Sequence, residues 1–252
     1  MALNAPMLSC PGRAARAAAG LAVSAWLLAA AGCEGIVAQS RNADGVQLYQ
    51  QGQYQAATRE FQQAAYSDPS NADAYYNLAA TYHRIGRLEH RQDDLKQAET
   101  CYNLCLDRDP SHTACYRGLA VLLAEEGRKA EALRLLRGWV ERSPDSADAR
   151  IELARLNQEF GNRQAAKEQL IAALAIQPDN TRALTALGKI REDAGETSQA
   201  LADYQRSLRC DNQQPQVASR VSALESGMVA LPPPPSDAPP TRMVDRNSTT
   251  LQ

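Results

Sequence analysis

The glycines and prolines of this chain recur at a fixed interval, and that interval limits the folds open to it. Gly52, Gly86, Gly127, Gly161 and Gly195 are separated by 34, 41, 34 and 34 residues. Pro69, Pro110, Pro144 and Pro178 follow at 41, 34 and 34, and Asn212 falls another 34 further on. Ala98, Ala132, Ala166 and Ala200 recur in the same register. A period of this size marks a solenoid, in which each unit buries its apolar face only against its neighbours.

One unit, "DSADARIELARLNQEFGNRQAAKEQLIAALAIQPDN" (145–180), reads as two antiparallel helices. Ile151, Leu153, Ala154 and Leu156 lead to a break at Gly161, where glycine supplies a left-handed turn at little steric cost. Ala165, Ala166, Leu170, Ala173 and Leu174 then recur at helical spacing and stop before Pro178, which pushes its predecessor out of the α region. Small residues let the helices approach, and leucines fill the space between them.

These features resemble the tetratricopeptide repeat (TPR) family over about residues 38–212. The first unit carries Gly45, Gly52, Tyr54, Ala57, Phe61, Ala64 and Pro69. The second carries Leu78, Ala79, Tyr82, Gly86, Ala98, Tyr102 and Pro110, and the third Leu119, Ala120, Gly127, Ala132, Leu136 and Pro144. The resemblance implies an all-α, right-handed α-solenoid of five helix hairpins. "PQVASRVSALE" (215–225) looks like the capping helix that covers the last repeat, so the solenoid is expected over 38–226. Seven extra residues fall between Gly86 and Ala98, within an insertion at 87–97. Seven residues are about two helical turns, so the insertion either lengthens a helix pair or forms a longer exposed loop.

The ends of the chain are of another character. Arg13 and Arg16 precede an apolar stretch from Ala17 to Ala31, the layout of an export signal over 1–32 and too short to span a bilayer comfortably. "AAGC" (30–33) resembles the lipobox of bacterial lipoproteins, which implies acylation of Cys33 and a short lipidated linker over 33–37. Leucine is commoner where Ala30 stands, so plain secretion with cleavage nearby, for instance after Ala38, stays open. Two or more acyl chains would anchor the protein firmly, since each buried methylene contributes about 0.8 kcal/mol. Glu34 after the cysteine favours the outer membrane by analogy with enteric bacteria, so the expected location is the cell envelope, facing the periplasm. At the far end, 227–252 contains "LPPPPSDAPPTR"; proline fixes φ and lacks an amide donor, so an extended, disordered tail is expected.

Loss of 1–32 removes two of the 27 basic residues and none of the 29 acidic ones, taking the net charge from −2 to −4. Such a surface has no electrostatic reason to hold nucleic acid. Cys101, Cys105, His112 and Cys115 offer four soft ligands in sequence, but the repeat register places Cys105 and Cys115 at buried small-residue positions on adjacent helices. No metal is expected there; buried thiols or a disulfide joining Cys105 and Cys115 remain open, with Cys210 as a packing residue. No nucleophile triad, phosphate loop or haem motif is present, so neither an enzyme nor a cofactor is expected.

In TPR folds the first helix of each unit lines the concave face. That resemblance assigns a protein-binding groove to Asn42, Val46, Tyr49, Tyr76, Asn77 and His83, continuing through Arg117, Arg155 and Lys189. Rings supply contact area at low entropic cost and amides can bond an extended backbone. The family's carboxylate clamp is not supported, because Asn77 alone matches it while Val46, Ala114 and Gly118 stand at its other positions. The reading is an exported, membrane-anchored scaffold for a protein or peptide partner. It resembles the lipoproteins of pilus and secretin assembly; an envelope or cell-wall assembly adaptor, or a non-catalytic accessory domain of an enzyme, are the alternatives.

Overall fold

The computed structural model describes residues 37–229, and within them every regular element is a helix. The chain divides at Pro144 into two compact units. The first holds α1 (37–50), α2 (Tyr54–Ser67), α3 (Ala72–Glu89), α4 (Gln92–Arg108), α5 (Thr113–Glu125) and α6 (Lys129–Arg142). The second holds α7 (Ala147–Glu159), α8 (Arg163–Ile176), α9 (Thr181–Asp193), α10 (Thr197–Cys210) and α11 (Pro215–Val229). From α2 onward, consecutive helices within each unit pack on one another, as expected of stacked hairpins.

The periodic residues act as punctuation. Gly52, Gly127, Gly161 and Gly195 all adopt φ between 76° and 80°, closing the first helix of their hairpins in a left-handed conformation. Asn71, His112, Ser146 and Asn180 cap the first helix of the next hairpin, each side chain accepting the amide hydrogen three residues on. Between them the alanine register is the close-packed seam: Ala98, Ala132, Ala166 and Ala200 have no exposed surface. Glycine serves a second purpose at Gly118, where a Cβ would lie 2.6 Å from the Tyr102 ring. Gly188 makes the same room for Tyr204, at 2.8 Å.

The insertion is helix, not loop. α3 has 18 residues and α4 has 17, against 13 in α5, α7 and α9 and 14 in α6, α8 and α10. Gly86, expected at a turn, therefore lies buried inside α3 with the Leu95 side chain over it. The left-handed position has moved to His90, at φ 53° and ψ 38°. Arg87, Leu88 and Glu89 carry the helix on because they are favourable helix formers, and one interior glycine costs only about 1 kcal/mol.

The capping helix α11 runs to Val229, three residues into the segment assigned to the tail. The export signal (1–32), Cys33 and the rest of the proline-rich segment lie outside the described residues. No helix among the described residues is long and apolar enough to cross a membrane.

Candidate protein-binding groove

In the first unit α1 and α3 expose a cleft of about 250 Å3 between them. Val46 and Tyr49 line it from α1, and Tyr76, Asn77 and Ala80 from α3, with Phe61 of α2 as its floor. Four of the residues expected in the groove thus share one cleft. Asn42 joins them indirectly, its Oδ1 accepting a hydrogen bond from Asn77 Nδ2 at 2.9 Å. The volume is below the roughly 300–1,000 Å3 of typical small-molecule sites, and suits one or two side chains of a polypeptide.

Both tyrosines are half-buried. Tyr49 meets the Tyr54 ring edge to face at 5.2 Å, and Arg84 in turn donates to Tyr54 Oη and lies over its ring at 5.9 Å. Tyr76 packs on His112 at 5.3 Å and on Tyr102 at 6.3 Å. Rings fixed from behind lose little further freedom when a partner arrives, which favours binding. Burial, reinforced by Tyr54, raises the Tyr49 phenol above its ordinary pKa. Burial also pushes Tyr102 upward, and Cys101 up to about 11.

The remaining expected residues go elsewhere. His83 is buried further along α3, its Nε2 3.0 Å from Glu125 Oε2, and Arg87 pairs with the other oxygen at 3.2 Å. These residues belong to a second cleft of about 490 Å3, where the extended end of α3 meets the end of α5 and His90 and Glu126 complete the wall. Arg117 is half-buried on α5. In the second unit Arg155 is tied to Glu152 and Glu159, while Lys189 is exposed. Phe61 and Gln50 were not expected in the groove. Phe61 reads in sequence as a core position, and it is that too, at 1% exposure.

Cys105 and Cys115 are joined by a disulfide that ties the last turn of α4 to the first turn of α5, with Cα atoms 6.7 Å apart. Cys101 is a buried free thiol, and Cys210 is exposed rather than packed.

Stacked helix hairpins with a cleft on their first helices define a repeat scaffold of the α-solenoid class, and comparison with known proteins gives the repeat its identity. Tetratricopeptide repeat models match residues 45–86, 86–147 and 123–190. The hairpins of this chain are tetratricopeptide repeats, a unit that mediates protein–protein interaction. Among solved structures, a thermophilic TPR protein of Thermus thermophilus is 24% identical; the match covers 75% of this chain and 99% of that one, with a TM-score of 0.56. The pilF protein of Pseudomonas aeruginosa is 18% identical over 78% of this chain and 86% of its own, with a TM-score of 0.55. At these identities the likeness is one of fold. The BBSome complex member BBS4 of Bos taurus is 27% identical over 157 residues, 62% of this chain. The chain spans only 29% of that relative's length.

Proposed function

We propose that this protein is an exported, lipid-anchored scaffold that grips a segment of a partner protein in the α1–α3 cleft of its first unit. The observation that carries the reading is the convergence of Val46, Tyr49, Tyr76 and Asn77 on one cleft. Two pre-held rings act as anchors, and the amide pair of Asn77 and Asn42 fixes the backbone of an extended segment. Attachment rests on the sequence: the apolar run from Ala17 to Ala31 ends at Cys33 in a lipoprotein-like signal. A role in assembling a pilus or secretion system follows from the pairing of a lipoprotein signal with a small TPR array, and the fold shared with pilF of Pseudomonas aeruginosa supports it.

Two experiments test the parts separately. In cell fractionation, Cys33→Ala is expected to move the protein from the membrane to the soluble fraction or to stall its processing. An unmodified mature chain beginning elsewhere, seen by intact-mass spectrometry, would overturn the anchor. For the groove, a Tyr49→Ala, Tyr76→Ala double variant is compared with the native chain in partner capture from detergent-solubilised membranes. Aromatic anchors typically cost about 2 kcal/mol or more when truncated, roughly thirtyfold in affinity. With two anchors removed, the expected result is capture weakened at least roughly thirtyfold, with melting still cooperative and lowered by only a few degrees. Undiminished capture removes the two tyrosines from the site.

A further inference from the structure

Behind Tyr76 lies a cluster that the groove does not use. Cys105 and Cys115 are fully buried, and His112 stands between them in sequence as the N-cap of α5. One ligand atom from each of the three lies within 4.8 Å of the others. We propose that, when the Cys105–Cys115 disulfide is reduced, Cys105, His112 and Cys115 become a binding site for a zinc ion.

The imidazole is already in the form a metal requires. His112 Nε2 is 3.0 Å from Asp73 Oδ1, and Nδ1 accepts the amide hydrogen of Cys115 at 3.1 Å. A carboxylate can only accept, so Nε2 carries the proton and Nδ1 presents its lone pair beside Cys115. A carboxylate on the far nitrogen of a ligating histidine is the usual arrangement around zinc, because it fixes the ring and raises its basicity. Ligation through Nδ1 takes that lone pair from the Cys115 amide, at the cost of one capping hydrogen bond.

The helix spacing suits a metal as well. The two cysteine Cα atoms are 6.7 Å apart, near the top of the roughly 4.4–6.8 Å that disulfides span. Two thiolates at about 2.3 Å from a tetrahedral zinc hold their sulfurs about 3.8 Å apart, so a metal asks for no closer approach of α4 and α5. Two thiolates with an imidazole select a thiophilic ion over magnesium or calcium. Three protein ligands leave the fourth position to water.

The chemistry balances as follows. A dithiol reductant transfers two electrons and two protons; the Cys105–Cys115 S–S bond breaks to give two thiols, and the dithiol closes to its own disulfide. Zinc then replaces the two thiol protons, which pass to water, leaving a site of no net charge. The disulfide and the zinc site exclude each other, and either one clips α4 to α5 across the Pro110 turn.

The full chain, reduced anaerobically with a water-soluble phosphine, is titrated with Zn2+ against a chromophoric chelator. One zinc per chain is expected for the reduced protein and none for the disulfide form. Cys105→Ser and Cys115→Ser should abolish uptake, whereas Cys101→Ser and Cys210→Ser should leave it unchanged. Asp73→Asn should weaken binding roughly 10–100-fold, the usual effect of losing such a carboxylate. Absence of stoichiometric uptake by the reduced chain overturns the proposal, and so does uptake that survives Cys105→Ser or is lost in Cys101→Ser. Should the cysteine variants lose helicity by circular dichroism, Asp73→Asn decides: its carboxylate is 75% exposed and reaches the cluster only through His112. Undiminished affinity in that variant overturns the site.

Discussion

The first unit presents rings and amides on its first helices, whereas the second closes the corresponding positions with ion pairs. Tyr49, Tyr76 and Asn77 line a cleft. Glu152 of α7, by contrast, is wholly buried and bonded by Arg155 of its own helix and Arg182 of α9, and Arg182 also reaches Asp148 at 2.9 Å. Between the helices the two units are alike. Gly118 makes room for Tyr102 in one and Gly188 for Tyr204 in the other. The repeat therefore fixes what lies between helices and leaves the exposed faces free to differ. One face leaves rings and amides part-exposed, and the other ties Glu152, Arg155 and Arg182 to one another.

The largest expected effect falls on the ion-paired face. Glu152→Ala removes a carboxylate with no exposed surface and leaves Arg155 with Glu159 alone and Arg182 with Asp148 alone, beside an empty buried site. Breaking a buried pair by deleting one partner costs roughly 3–5 kcal/mol. Because both arginines keep part of their surface in water, the lower end, about 3 kcal/mol, is expected in urea denaturation. A cost below about 1 kcal/mol, the range of surface pairs, would mean that this network is no more structural than any exposed salt bridge, and the contrast between the units would fail.

The packing shared by the two units gives the next effect. Gly118→Ala and Gly188→Ala each place a methyl group against a tyrosine ring, at 2.6 and 2.8 Å. Overpacking of this kind costs roughly 1–3 kcal/mol. Similar losses in both variants, read from thermal melts, would sharpen the view that inter-helix positions are set by the repeat. A large loss in one unit and none in the other would break it.

These contrasts also mark where sequence reasoning stops. Gly52, Gly127, Gly161 and Gly195 are readable because a left-handed turn leaves few alternatives to glycine. Gly86 looks the same on paper, but Arg87, Leu88 and Glu89 continue the helix and Leu95 fills the space a side chain would take. Tyr49 and Tyr76 can be assigned to adjacent first helices by register alone. His83 cannot be separated from them, since seven residues along α3 restore the same face. Only the end of α5, which brings Glu125 to His83, directs it to another cleft. Arg155 is placed on the groove by register alone, and the Arg182 that completes its network lies 30 residues from Glu152 in sequence.

The smallest effect tests the lengthened hairpin of the first unit against the ordinary hairpins of the second. His90 occupies at φ 53° the role that Gly161 fills at φ 80°. A side chain in that region costs about 1–2 kcal/mol, whereas a glycine gives back roughly 0.5–1 kcal/mol through the freedom it loses on folding. His90→Gly is thus expected to stabilise the protein by up to about 1 kcal/mol, and Gly161→Ala to destabilise it by about 1 kcal/mol. The closing hydrogen bonds run from the His90 and Arg91 amides to the Gly86 carbonyl and survive either side chain at 90. For a chain of this size about 1 kcal/mol moves the melting temperature by about 2–4 °C, within reach of differential scanning calorimetry. A fall in melting temperature for His90→Gly would mean that its imidazole, which lines the second cleft beside Arg87 and Glu126, holds the extension in place. The insertion would then be a feature the first unit needs for stability, and not only a longer version of the hairpin found in the second.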